Sequence, residues 1–141
     1  MLVAVSFFAI LIWMIGPLRV ILLPMLYLNT HLHEGSHALA AVATLGHVEN
    51  IQVFANGEGV TRVRGGIGPV VSFAGYLGAA LIGGMLILWG RKPESARKSL
   101  IGLAVILGAI TIVWVRGDWM GAASALLWTI SLAAAGKYLP N

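Results

Sequence analysis

Apolar runs long enough to cross a lipid bilayer make up most of the chain, and the few charged residues gather in clusters between them. The stretch 70–89 contains no charged residue, and neither does 100–115. Backbone polar groups inside hydrocarbon must find partners within the segment, so runs of this kind read as transmembrane helices. Composition agrees: of 141 residues 59% are hydrophobic and 10% charged, against about a quarter charged in soluble domains. With a mean hydropathy of +0.91, a soluble globular protein is excluded. The net charge of +4 reflects how basic clusters flank apolar spans and does not point to nucleic acid. Cysteine is absent, which removes disulfides, thiolate metal sites and a cysteine nucleophile together.

The expected architecture is an all-α membrane protein forming one domain over 1–141, a polytopic bundle of about five transmembrane helices with one short β-hairpin. The spans are placed at about 2–15, 20–46, 70–89, 100–115 and 119–139. The first ends at Gly16-Pro17 and reads as a retained span rather than a signal peptide, since no basic segment precedes it and no small-residue cleavage site follows. The second would be about 40 Å long as a helix, beyond a hydrocarbon core of about 30 Å, so tilt or a kink at Pro24 must absorb the excess. Between 48 and 64 the pattern changes to period two around Asn56-Gly57, the signature of a hairpin. Its polar turn belongs at the interface or in a protein-lined cavity. In the third span Gly75, Ala79 and Gly83, with Gly78 and Gly84 beside them, form a small-residue face against which another helix should pack closely.

Arg91, Lys92, Arg97 and Lys98 share one short loop, and the positive-inside rule places it in the cytoplasm. Alternation then puts Arg19 and Lys137 on the same side and the hairpin and Asp118 on the outer side. The chain is thus expected to be an integral, multi-pass protein, here assigned to a prokaryotic cell membrane.

Within the second span lies His33-Glu34-Gly35-Ser36-His37, an HExxH motif. Histidines at i and i+4 share one helix face about 6 Å apart, which suits two zinc nitrogen ligands. Glu34 lies where it can take a proton from a metal-bound water and later deliver it to a leaving amine. Ionisable residues inside a span cost several kcal/mol each and mark function by default. Catalytic zinc usually takes three protein ligands and a water, so a third ligand must come from elsewhere. Asp118, the only aspartate, interrupts the apolar pattern in the same outer half of the bundle as His37 and is the first choice. Glu49, Glu58 and His47 are the alternatives; the two glutamates read as solvated hairpin residues and His47 as a cation at a helix C-terminus. His31, two residues from His33, faces elsewhere and reads as a packing residue.

The segment HLHEGSHALAAVATLG, the hairpin with its Gly-Val-Thr, and SFAGYLGAALIGG together resemble the small, compact members of the site-2 protease family of intramembrane zinc metalloproteases, over about 23–84. The resemblance implies His33 and His37 as zinc ligands, Glu34 as catalytic base, and a transmembrane or membrane-associated protein as substrate. One departure stands out. Larger members take their third ligand from an Asp-Gly in a proline-containing stretch, whereas Asp118 precedes Trp119 with no proline nearby. An unwound substrate would be held in extended form along the hairpin edge; the other reading of the hairpin is a plug for the cavity mouth. Two alternatives of a different class remain at this point, a catalytically silent relative acting as a binding or structural subunit and a metal-handling membrane protein.

Overall fold

The computed structural model describes residues 2–138 and is mostly helical. Helix α1 (Leu2–Met14) is followed by a single 3-10 turn at Gly16–Leu18 and by α2 (Arg19–Ala43). A two-stranded antiparallel sheet comes next, β1 (His47–Val53) and β2 (Gly59–Arg64), and then α3 (Gly68–Trp89), α4 (Pro93–Trp114) and α5 (Trp119–Tyr138). Five helices and one hairpin are therefore present among the described residues, as the sequence pattern implied. Three of the helices, α3, α4 and α5, are long and apolar enough to cross a membrane. Helix α1 has only 13 residues, about 20 Å, and α2 carries the polar cluster. The expected end of the last span at Leu139 lies outside the described residues.

Element boundaries follow local chemistry. Gly16-Pro17 breaks the first helix, while Pro24 sits inside α2 without ending it. Helix α2 stops three residues before Gly46: Leu45 adopts a left-handed φ of 62°, and Gly46 N–H bonds back to Ala41 O at 2.7 Å. A Cβ at Gly46 would stand 3.0 Å from both Ala41 O and Gly66 N, so glycine is what lets the chain turn into β1 there. Helix α4 starts at Pro93, seven residues before the expected 100. The proline ring presets the first helical turn, Glu94 favours the positive end of the helix dipole, and Lys98 donates to Glu94 Oε1 at 2.7 Å one turn on. The basic cluster is thus partly the first two turns of a helix rather than a loop.

Helix α2 is the hub of the fold. It packs on α1, on α3, on α5, on the end of α4 and on both strands. One buried cluster lies beneath the hairpin and joins Ala38 and Ala41 to Val48, Ile51, Val53, Ile110 and Val115. A second, between α4 and α5, holds Leu103, Ala104, Leu107 and Leu132. The hairpin register contains an irregularity between Val48 and Asn50, after which Asn50 pairs with Arg62, Ile51 with Thr61 and Val53 with Gly59. Ile51 is fully buried and forms a parallel bridge to Val115, with Arg116 N–H donating to Ile51 O at 3.3 Å. The outer side of β1 is therefore tied to the end of α4.

The small-residue face of α3 meets α2 at its N-terminal half only. A Cβ at Gly75 or Gly78 would collide with α2 side chains, whereas Gly83 and Gly84 have nothing within 4 Å. Among the glycines of the stripe, the close approach is confined to these first two.

Candidate metal and catalytic centre

Three faces of α2 carry three different jobs. Tyr27, Thr30 and Glu34 recur at helical spacing along one face, and each holds the hairpin. Tyr27 donates to Ala55 O at 2.7 Å, Thr30 to Gly57 O at 2.7 Å, and Glu34 Oε2 accepts from Thr61 at 2.6 Å. His33, Ser36 and His37 face α3. His31 lies about 200° around the helix from His33 and meets α5, where its Nε2 is hydrogen-bonded with Ser124 Oγ at 2.9 Å.

On the α3 side the two imidazoles converge. His33 Nε2 and His37 Nε2 are 3.1 Å apart, and the rings meet edge to face with centroids 4.7 Å apart. Zinc–nitrogen bonds of about 2.05 Å in a tetrahedral site place two ligand nitrogens about 3.3 Å apart, so the pair is close to a zinc-ready spacing. His37 Nδ1–H donates to Val71 O at 2.6 Å, which leaves Nε2 as the lone-pair nitrogen of the neutral ring. A backbone carbonyl in that position is how metal-ligating histidines are usually oriented.

Gly75 makes the space in front of the pair. A Cβ there would lie 2.4 Å from His37 Nε2 and 2.5 Å from His33 Nε2, so this backbone position is compatible with converging imidazoles only as glycine. Tyr76 stands beside it, its ring edge to face with His33 at 4.6 Å between centroids. On the other flank Glu34 is buried, and Gly59 of β2 passes directly over it, since a Cβ at Gly59 would be 2.6 Å from Glu34 Cγ. A cavity of about 360 Å³ opens between these elements, lined by Asn29, Thr30, His33, Glu34, Phe54, Glu58 and Tyr76 among others. A larger apolar groove of about 450 Å³ between α3 and α4, near Trp89 and Lys98, touches none of the HExxH residues.

Asp118 is not brought to the histidines. Its Oδ2 accepts from Gly121 N–H at 2.8 Å and its Oδ1 from Met120 N–H at 3.3 Å, so it caps the N-terminus of α5. Helix α5 packs on the His31 face of α2, and among the described residues no three His, Asp or Glu side chains gather to hold a metal. As a third ligand Asp118 remains a proposal, and its carboxylate would have to leave the unpaired amides at the helix N-terminus that hold it here. Of the alternatives, Glu49 is ion-paired with Arg64 and His47 is exposed opposite Arg64 in the hairpin. Glu58 lies at the rim of the cavity, exposed as the turn chemistry implied.

Three helices long and apolar enough to cross a membrane, packed with a hairpin around a helix that carries an HExxH motif, define a metallopeptidase-like membrane protein. The Peptidase M50B-like family matches residues 1–141, and the chain belongs to it, a branch of the site-2 protease family. No curated protein and no solved structure gave a match.

The sequence assigned no role to Thr61, Gly59, Thr30 or Tyr76, although Gly59, Thr61 and Tyr76 lie in the segments that carry the family resemblance. The strand alternation of β2 was a usable signal for Thr61, since it is the one hydroxyl among the residues that alternate with exposed Val60, Arg62 and Arg64.

Proposed function

We propose that this protein is an intramembrane zinc metalloprotease that hydrolyses a peptide bond of a transmembrane or membrane-associated protein. The observation that carries the reading is the convergence of the His33 and His37 Nε2 atoms at 3.1 Å, in front of Gly75 and beside the buried Glu34. The donor chemistry fits zinc: two neutral imidazole nitrogens at nearly the tetrahedral spacing, one of them oriented by a backbone carbonyl. When bound, zinc supplies Lewis acidity toward a carbonyl oxygen and toward water.

The chain's own residues do the rest. Glu34, whose carboxylate borders the cavity, accepts a proton from the attacking water and returns it to the departing amine. Gly59 lets β2 lie close over that carboxylate, and Gly59 and Val60 line the cavity. Since β1 is tied to Val115 and Arg116, the edge of β2 is the one left to pair with an extended substrate segment among the described elements. Backbone pairing of this kind suits a substrate helix that must unwind before its carbonyls are accessible. The same reading has the chain crossing the bilayer about five times, with the basic segment 91–98 in the cytoplasm of a prokaryotic cell and the hairpin on the opposite side.

The test is Glu34→Gln. The amide matches the carboxylate in shape but cannot accept the proton, so zinc content and melting temperature should stay near wild type while cleavage of a transmembrane substrate is abolished. Retained cleavage would remove Glu34 as the base.

A further inference from the structure

We propose that Thr61 is a positioning residue for Glu34, fixing the carboxylate in its working orientation and tying it to the hairpin; the proposal rests on the reading of Glu34 as the base. Thr61 Oγ1 lies 2.6 Å from Glu34 Oε2 and 3.0 Å from the Glu34 backbone oxygen. A hydroxyl has one proton, and the shorter contact to a charged oxygen takes the larger share of it. Glu34 is only 6% exposed, so its charged form needs a donor that replaces water. Among the described residues Thr61 is the side chain that provides one.

The division of labour between the two carboxylate oxygens follows. Oε2 is engaged by Thr61, while Oε1 lies beneath Gly59, where a Cβ would come within 2.8 Å. Thr61 therefore restrains one oxygen and leaves the other free for proton transfer. The hydroxyl is itself well anchored. Thr61 pairs with Ile51, Ile51 is fully buried, and Ile51 O is held by Arg116 N–H at the end of α4. A glutamate otherwise turns about several side-chain bonds, and misplacement of a catalytic group by about 1 Å costs roughly a hundredfold in rate. Because the restraint acts on the base rather than on substrate contacts, its loss should appear in kcat and not in KM.

Thr61→Val keeps the shape and removes the donor, and Thr61→Ser keeps the donor. The zinc-loaded protein in detergent is assayed with a quenched fluorescent peptide of about 20 apolar residues, long enough to span a bilayer. Thr61→Val should lower kcat roughly 10- to 100-fold with KM and zinc content near wild type, and Thr61→Ser should remain within about threefold of wild type. Wild-type kcat in Thr61→Val, or equal damage in both variants, overturns the proposal. A melting cycle with Glu34→Ala gives a readout free of turnover: the loss in melting temperature caused by Thr61→Val should shrink once Glu34 is gone, to the part owed to the longer contact with the backbone oxygen of residue 34. Additive losses overturn the contact. If wild type itself leaves the peptide intact, the hydrolase reading fails on that substrate, and the melting cycle alone decides whether Thr61 holds Glu34.

Discussion

Gly75→Ala adds one methyl group at the point where the two imidazoles converge. The new Cβ would stand 2.4 Å from His37 Nε2 and 2.5 Å from His33 Nε2, against an optimal separation of roughly 3.5 Å for non-bonded heavy atoms. About 1 Å of retreat is therefore required. The mid-helix backbone of α3 cannot give that much, and His37 is held by its bond to Val71 O on the same helix, so the rings must rotate away from each other. Metal ligands tolerate displacements of only about 0.2 Å, so zinc affinity should fall by roughly a hundredfold or more. The helix itself is not threatened, because alanine is favoured over glycine in a helix by about 1 kcal/mol. Zinc retained by detergent-purified protein, measured by mass spectrometry against a graded series of chelator, reads the loss. Gly83→Ala and Gly84→Ala, which meet nothing within 4 Å, should bind zinc as wild type does. Gly78→Ala, which meets Ser36 rather than the imidazoles, separates displacement of α3 from direct obstruction. Wild-type zinc affinity in Gly75→Ala would refute the geometry of the site.

Asp118→Ala should destabilise the protein by about 1 kcal/mol through loss of the α5 cap, while Asp118→Asn, a comparable cap, should keep both stability and zinc; loss of zinc from Asp118→Asn at an unchanged melting temperature would establish Asp118 as the third ligand. For topology, a cysteine introduced at Ser95 or at Asn56 is the only thiol in the chain. In intact cells an impermeant thiol reagent should label Asn56→Cys and spare Ser95→Cys, and the reverse pattern would invert the orientation.

What the sequence disclosed was whatever depends on local period. The i, i+4 spacing of His33 and His37 survives into the structure because both lie on one uninterrupted helix, and the alternation from 48 to 64 is the hairpin itself. Contacts between elements were less legible. Thr61 reaches Glu34 through the packing of β2 on α2, which strand period alone does not locate. Asp118 has the same residue type whether it caps a helix or binds a metal, and the cap it forms here depends on where α5 begins. The stripe of small residues on α3 likewise shows where close packing is possible, while the packing of the neighbouring helices decides that among its glycines Gly75 and Gly78 use it. Pro93 was read as part of a loop, yet a proline is equally at home in the first turn of a helix.

The central claim is that the converging pair His33 and His37 holds zinc. Protein purified in detergent without added chelator should carry close to one zinc per chain by mass spectrometry, and the double variant His33→Ala with His37→Ala should carry almost none at a similar yield of folded protein. Equal zinc content in the two, whether near zero or near one, would contradict the account.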